Sequence, residues 1–331
     1  MTTPPNSFPI LRIQNLKTYF YTRQGIVKAV DDITLTVEKG KVLGLVGESG
    51  SGKSMTSLSV LRLVPSPGKI VSGDILFENR SLLTLNDEEM RKRRGKEISM
   101  IFQEPMTSLN PVFTVGEQVA EMLRLHLKMN RKEAKDKTIE LFKWVGIPSE
   151  EKRYHEYPHQ LSGGMRQRIM IAMAISCDPK LIFADEPTTA LDVTIQAQIL
   201  NLLHHLKDKL NMSLVLISHD LGIIAESADD VAVMYAGKIV EYTDTQKLFA
   251  HPLHPYTRGL LESLPKFDRN GGGKARLKAI PGVVPTLSDL PPGCAFEPRC
   301  PYAMAICKTD PPGLEEKETG HLASCWLEKT G

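Results

Sequence analysis

At 331 residues the chain has room for two domains of about 150 residues each. Hydrophobic residues at 41% and charged residues at 24% are ordinary for a globular protein, which argues against a disordered or fibrous chain. The 41 basic and 39 acidic residues leave a net charge of +2, so bulk charge implies no nucleic acid or other polyanion as partner.

The first residues, MTTPPNSFPI, have no cationic segment followed by an apolar core, so no secretory signal is expected there. No apolar run approaches the roughly 20 residues needed to span a bilayer. Met170 to Ile175 and Leu214 to Ile217 read as buried core instead. The expectation is a cytosolic chain that reaches a membrane only through a partner.

Leu11 to Phe20 and Ile26 to Val37 alternate apolar and polar residues and are rich in β-branched side chains, which predicts antiparallel strands. Tyr19, Phe20 and Tyr21 close the first; an aromatic there is either core or a stacking surface for a purine. Val42 to Val46 is a short apolar run, followed by Gly47-Glu48-Ser49-Gly50-Ser51-Gly52-Lys53-Ser54 and then by Ser57 to Leu63, which can continue as a helix. In the order strand, glycine loop, helix, G-x-x-x-x-G-K-[ST] marks a phosphate-binding loop. Gly47, Gly50 and Gly52 accept backbone angles that other residues resist, so successive N–H groups can face one anion. The helix adds the positive end of its dipole. Lys53 is expected to reach the β- and γ-phosphates of a bound nucleotide, and the Ser54 hydroxyl to ligate Mg²⁺.

Gly68 to Phe77 predicts another strand, and the charge-rich Asp87 to Glu97 a solvated helix or loop. Ile98 to Phe102 is an apolar run ending at Gln103, and Glu104-Pro105 breaks it. Thr114 to Val145 turns helical, with Ala134, Leu141, Phe142 and Val145 on one face and Trp144 expected in the core beside them. Leu161-Ser162-Gly163-Gly164-Met165 then opens a long amphipathic run. Ser-Gly-Gly at a helix start either caps the helix or offers N–H groups to an anion.

Leu181 to Ala184 is a continuous apolar strand running into Asp185-Glu186, two carboxylates that need a cation or polar ligand if buried. Ala190-Leu191-Asp192 leads into a helix with Ile199, Leu200, Leu203, Leu206 and Leu210 on its apolar side and His204 and His205 at the surface. Ser213 to Ile217 is the next strand, ending in Ser218-His219-Asp220. Val231 to Tyr235 and Lys238 to Glu241 form a hairpin around Ala236-Gly237. Gly47, Gln103, Asp185 and His219 each fall just past the carboxyl end of an apolar strand, the edge where ligands bind in open α/β sheets. They are expected to converge on one nucleotide.

Taken together, the loop at 47–54, Gln103, LSGGM, LIFADE, the ALD turn and His219 resemble, in order, the nucleotide-binding subunits of ATP-binding cassette (ABC) transporters. The resemblance covers about residues 8–250; Met165 departs from the glutamine most common in that signature. It implies an α/β fold: a P-loop NTPase with a RecA-like core, an antiparallel β subdomain and an α-helical subdomain inserted at about 104–167. It implies ATPase activity by a head-to-tail pair of such domains. Lys53 and Ser54 would hold phosphates and Mg²⁺, with Gln103 near metal and water. Asp185 would support Mg²⁺, Glu186 would be the general base and His219 would contact the γ-phosphate. Ser162, Gly163 and Gly164 would act on the partner's ATP, and Asp192 would lie at the dimer contact. Phe20, with Tyr19 as the near alternative, matches the adenine-stacking aromatic.

From His251 the composition turns Pro- and Gly-rich, with His254-Pro255-Tyr256 and a Gly271-Gly272-Gly273 linker. This resembles the C-terminal extension of oligopeptide, dipeptide and nickel importer ATPases, and places a domain boundary near 250/251. Four of the five cysteines lie here, Cys294, Cys300, Cys307 and Cys325, spaced C-x5-C-x6-C-x17-C. Structural disulfides are not expected in a cytosolic chain. Four thiolates suit a [4Fe–4S] cluster or Zn²⁺; the resemblance favours the cluster, with zinc and unligated thiols as alternatives. Cys177 reads as inert core.

The resemblance thus implies an ATPase driving peptide import, with nickel import as the runner-up. Its partners would be a second ABC ATPase subunit, two transmembrane permease subunits and an extracytoplasmic peptide-binding protein, at the cytoplasmic face of the membrane. A soluble cassette ATPase of translation or repair usually carries two cassettes or a long coiled-coil insertion, and neither is present. A regulatory module without turnover is disfavoured by the intact Glu186 and His219.

Overall fold

A computed structural model of the chain describes residues 9–23, 25–104, 108–189, 191–264 and 279–327. Pro105, Ala190 and the Gly271–Gly273 linker lie outside the described residues. The chain divides into two compact units, one of Leu11–Thr36, Val42–Leu83 and Ser218–Gly331, the other of Met1–Ile10, Val37–Lys41 and Thr84–Ile217.

The first unit carries the glycine loop. Strands β1 (Leu11–Thr22), β2 (Gly25–Val37), β4 (Gly68–Phe77) and β5 (Arg80–Ser81) form a sheet in the order β2-β1-β4-β5. β1 runs antiparallel to β4, from Leu11 opposite Phe77 to Phe20 opposite Gly68. The alternation seen in the sequence places Leu11, Ile13, Leu16, Ile33, Ile75 and Phe77 in the core. Strand β3 (Val42–Val46) is buried at every position and leads through the loop into helix α1 (Lys53–Val60).

In the second unit, helix α2 (Asp87–Arg93) forms from the charge-rich stretch because Asn86 and Glu89 build a capping box at its start. Strand β6 (Ile98–Ile101) follows. The segment predicted as helical from Thr114 to Val145 is two helices, α3 (Val115–Leu127) and α4 (Arg131–Trp144). Lys128 in a left-handed conformation at φ 59° ends the first, and an Asn130–Glu133 capping box starts the second. Ala134, Leu141, Phe142 and Val145 are fully buried as expected. Trp144 is not: its indole is half-exposed, with the Lys137 and Lys209 ammonium groups 4.5 and 3.4 Å from the ring centroid.

Beyond α5 (Glu150–Tyr154) come α6 (Gly163–Ile175), β7 (Leu181–Asp185), α7 (Val193–Leu210) and β8 (Ser213–Ser218). β6, β7 and β8 are parallel neighbours, with Ile98 opposite Leu181 and Leu181 opposite Ser213. Their continuous apolar runs are those of strands covered on both faces.

The first unit resumes with α8 (Leu221–Ser227), β9 (Asp230–Tyr235) and β10 (Lys238–Asp244). β9 runs parallel to β3 and antiparallel to β10. Ala236 at φ 47° and Gly237 at φ 82° supply the two left-handed residues of a tight hairpin turn. After α9 (Thr245–Ala250), α10 (Pro255–Glu262) and α11 (Ala305–Thr309), strands β11 (Glu315–Glu318) and β12 (His321–Ala323) extend this sheet outward from β10. Among the described residues no helix is long and apolar enough to cross a membrane.

A buried polar group fastens the tail to β10. Glu241, fully buried, accepts from Leu253 N (2.7 Å), His254 N (2.9 Å) and His321 Nε2 (2.7 Å). Burial alone would raise the Glu241 pKa, but these hydrogen bonds outweigh it and hold the carboxyl below its ordinary range. His254 Nδ1 accepts from Tyr256 N at 3.0 Å and caps α10, and burial pushes its pKa down to about 4. Both shifts are depressions, so the stability these groups contribute is present above their unfolded pKa and is lost as pH falls. For His254 that loss runs from about 6.5 towards about 4, on the order of 2 kcal/mol by pH 5. His254→Asn keeps a capping acceptor without the titration, so its melting temperature should fall less between pH 7 and pH 5 than that of the parent. Equal falls in parallel thermal melts would refute this role.

Candidate functional site

In the first unit the loop is shaped by close backbone approaches. A Cβ at Gly47 (φ 153°) would lie 2.2 Å from the Met234 carbonyl oxygen, and one at Gly52 (φ 106°) 2.3 Å from that of Ala29. Ser51 O accepts from Gly237 N at 2.9 Å, which ties the loop to the β9–β10 turn. Gly52 occupies the N-cap of α1 and provides no side chain to the first-turn N–H groups. Ser51 Oγ is buried and has no protein partner among the described residues. Lys53, 5% exposed, donates to the carbonyls of Gly47 (2.8 Å) and Glu48 (3.0 Å). Ser54 is half-buried, and Ser49 and Gly50 are exposed at the tip. Uncapped amides, a buried hydroxyl and an ammonium around one glycine turn fit an anionic phosphate chain.

Glu48, within the loop expected to hold the nucleotide, also has partners in the C-terminal tail. Its carboxylate is gripped by Arg299, Nη1 to Oε2 at 2.7 Å and Nη2 to Oε1 at 3.0 Å. Its backbone N–H donates to the Tyr256 hydroxyl at 2.8 Å. Nothing local in the sequence signals these two partners. Phe20 is half-buried over Gly68, where a built Cβ would touch its ring at 2.7 Å. The Tyr19 hydroxyl is occupied by Asp31 Oδ1, and burial with that contact raises its pKa. His219 is exposed on the turn between β8 and α8.

In the second unit β7 is buried throughout and ends in Asp185, 4% exposed. Glu186 follows with φ 45°, a left-handed conformation that costs a non-glycine residue about 1–3 kcal/mol and recurs at functional sites. Glu186 N donates to Ile217 O at 3.0 Å and fixes the turn. Its Oε2 accepts from Gln103 Nε2 and from Thr189 Oγ1, each at 2.9 Å. The structure thus joins Gln103 to Glu186 and adds Thr189, which sequence reasoning passed over. Ser162 caps α6, its hydroxyl accepting from Met165 N at 3.3 Å, and Ser162 and Gly163 are exposed. Asp192 caps α7 by accepting from Ile195 N at 3.0 Å.

The four tail cysteines line one small cavity with Pro312, Trp326 and His254 among its walls. Cys294 N donates to Cys307 O at 2.8 Å, which holds two of the segments together. Burial, together with the other three thiols, pushes the Cys294 thiol up to about 11. Among the described residues no three His, Cys, Asp or Glu side chains are gathered closely enough to hold a single metal ion. Cys177 is buried, as expected.

Residues 30–189 match the ABC transporter family model, and residues 240–307 match that of the oligopeptide/dipeptide transporter C-terminal region. The chain is 53% identical over 319 residues to the oligopeptide transport ATP-binding protein AppD of Bacillus subtilis, covering 96% of each. It is 48% identical over 316 residues to the dipeptide transport ATP-binding protein DppD of Escherichia coli, again covering 96% of each. A dimeric post-hydrolysis structure of the ATP-binding cassette MJ0796 with ADP and Pi superposes with a TM-score of 0.65 at 26% identity. That likeness covers 71% of this chain and 98% of that one. The chain belongs to the ATP-binding subunits of ABC transporters and has their α/β cassette fold. Within them it is the ATP-hydrolysing subunit of an ABC importer of the oligopeptide/dipeptide type.

The clearance at Gly52 gives a direct test. Gly52→Ala places a methyl against a backbone oxygen at a φ that side chains avoid. Affinity for ATP with Mg²⁺, measured by titration calorimetry, should fall at least about tenfold. Unchanged affinity would show that the loop shape is not what binds phosphate.

Proposed function

We propose that this subunit powers import of di- or oligopeptides by binding ATP at the 47–54 loop and hydrolysing it through Glu186. The observation that carries this reading is Glu186 held in a strained backbone conformation with Gln103 and Thr189 on one carboxylate oxygen. A carboxylate fixed in that way is preorganised to accept a hydrogen bond from an attacking water and polarise it. Lys53 and the first-turn amides of α1 neutralise the phosphates, and His219 contacts the γ-phosphate. Ser54, Gln103 and Asp185 offer the oxygen donors that suit Mg²⁺, which would supply charge neutralisation at the β- and γ-phosphates. Phe20 stacks on adenine.

The subunit works head to tail with a second ATPase, a different chain in a heterodimer. Ser162, Gly163 and Gly164 complete the partner's site, with Asp192 at the contact. The exposure of Ser162 and Gly163 supports this, as does the space around Gly163, where a built Cβ would meet only a Leu191 methyl at 3.6 Å. The pair docks on two permease subunits at the cytoplasmic face, fed by an extracytoplasmic peptide-binding protein. The nucleotide-binding domain runs to about 250, and the remainder is an extension ordered by its cysteines.

Those cysteines, Cys294, Cys300, Cys307 and Cys325, hold a [4Fe–4S] cluster. Their convergence on one cavity supports this, and a four-iron cube spaces its sulfur ligands more widely than a single zinc ion does.

Glu186→Gln should bind ATP and hydrolyse it at least about 10²-fold more slowly. Near-normal phosphate release by that variant would sink the assignment. Anaerobically purified chain should absorb near ~400 nm and carry about four irons. Stoichiometric zinc, or no metal, in elemental analysis would overturn the cluster.

A further inference from the structure

Two residues of the C-terminal tail, Tyr256 and Arg299, reach the same residue of the phosphate-binding loop. Tyr256, in α10, is fully buried and accepts the backbone N–H of Glu48 at 2.8 Å. Arg299, in the short turn Glu297–Arg299 between Cys294 and Cys300, takes the Glu48 carboxylate with both terminal nitrogens, at 2.7 and 3.0 Å. Arg299 is itself locked. Its Nε donates to Pro281 O at 3.0 Å, its Nη1 reaches the Tyr235 hydroxyl at 3.4 Å, and the guanidinium lies against the Tyr235 and Phe296 rings. Tyr235, Tyr256 and Phe296 pack against one another with centroids 4.6 to 5.4 Å apart. Backbone and side chain of one loop residue are therefore held from outside the loop, by Tyr256 and by an Arg299 that lies against the same aromatic cluster.

Charge explains what this does. Glu48 follows Gly47 directly, so its carboxylate sits beside the loop that must receive a polyphosphate. Unpaired, that carboxylate would repel the nucleotide. A bidentate guanidinium cancels the charge and fixes its direction in a way that lysine cannot reproduce.

We propose that Arg299 and Tyr256 are positioning residues for ATP binding: through Glu48, the ordered Cys294–Cys300 segment sets the affinity of the phosphate loop. Whatever orders that segment raises ATP affinity, irrespective of what its thiols hold. The competing explanation is that the ion pair merely fastens the tail to the body. The inference rests on the loop binding ATP, which the parent chain in the same titration checks separately.

The test uses the full chain, ATP with Mg²⁺ as the titrant, and a thermal melt of each variant. Arg299→Gln should weaken ATP binding by about 3- to 30-fold. In a Glu48→Gln background, where no carboxylate remains to be neutralised, the same substitution should cost little, which is the signature of two groups acting as one. Arg299→Lys should recover only part of the loss. Tyr256→Phe keeps the ring and removes the acceptor, so it should weaken binding by about threefold with little change in melting temperature. This variant also serves if Arg299→Gln fails to fold. A lower melting temperature with parental ATP affinity would overturn the proposal. So would equal losses from Arg299→Gln in both backgrounds, or parental affinity in Tyr256→Phe.

Discussion

The loop at 47–52 keeps its shape because backbone oxygens press on it from outside. A side-chain carbon at Gly47 would lie 2.2 Å from Met234 O, one at Gly52 2.3 Å from Ala29 O, and one at Gly237 2.6 Å from Lys28 O. These oxygens belong to β2 and β9, so the loop is moulded by packed strands of its own unit. A chain of hydrogen bonds, Asp31 N to Gly237 O and Gly237 N to Ser51 O, links the same elements at 2.8 and 2.9 Å. Much else follows from this mould. Lys53 enters α1 buried against the loop carbonyls, and the first-turn amides point out of a turn that no side chain fills. Preorganisation of this sort spares the nucleotide the entropic cost of ordering its own cradle.

How much of this could be read from the residues depended on whether a constraint was local. Strand, glycine turn and helix around 42–60 were legible because the spacing of Gly47, Gly52, Lys53 and Ser54 between an apolar run and a helical segment is itself a local signal. The rule that ligands gather at the carboxyl edge of parallel strands pointed to Gln103 and Asp185, and the Gln103 side chain meets Glu186, the residue after Asp185, at 2.9 Å. The partner of the Glu48 carboxylate was not legible because it stands 251 positions away, outside the motif. Trp144 was assigned to the core because it borders an apolar face. Periodicity is blind to Lys137 and Lys209, whose ammonium groups cover the ring and let it stay half-exposed. The break at Lys128–Asn130 was missed because neither glycine nor proline marks it.

The tail illustrates a different economy. Among its described residues few apolar side chains are buried, Phe296 and Tyr256 chief among them, so hydrophobic burial is a small part of what fixes it. Its attachments are instead polar and geometrically exacting: Glu241 with His321 and two backbone amides at one end, Glu48 with Arg299 and Tyr256 at the other. Buried pairs of this type recover little net energy once desolvation is counted, yet removing one partner is costly. They specify a single docking more than they strengthen it. That is the property needed if the position of the tail is to matter to the loop.

Glycine serves two different ends in this chain. At Gly47 and Gly52 it is demanded from within, since any side chain would strike a backbone oxygen. At Gly163 the fold makes no such demand: the residue is exposed, and a Cβ would meet only an ordinary van der Waals contact with Leu191 at 3.6 Å. A bare backbone at a helix start, kept clear for no internal reason, is suited to something that approaches from outside. In the proposed head-to-tail pair that visitor is the nucleotide held by another subunit. On that arrangement an isolated chain has all it needs to bind ATP, because the loop is moulded internally. Its hydrolysis depends on a surface it does not possess, so turnover should track the concentration of the paired subunit and not that of ATP alone.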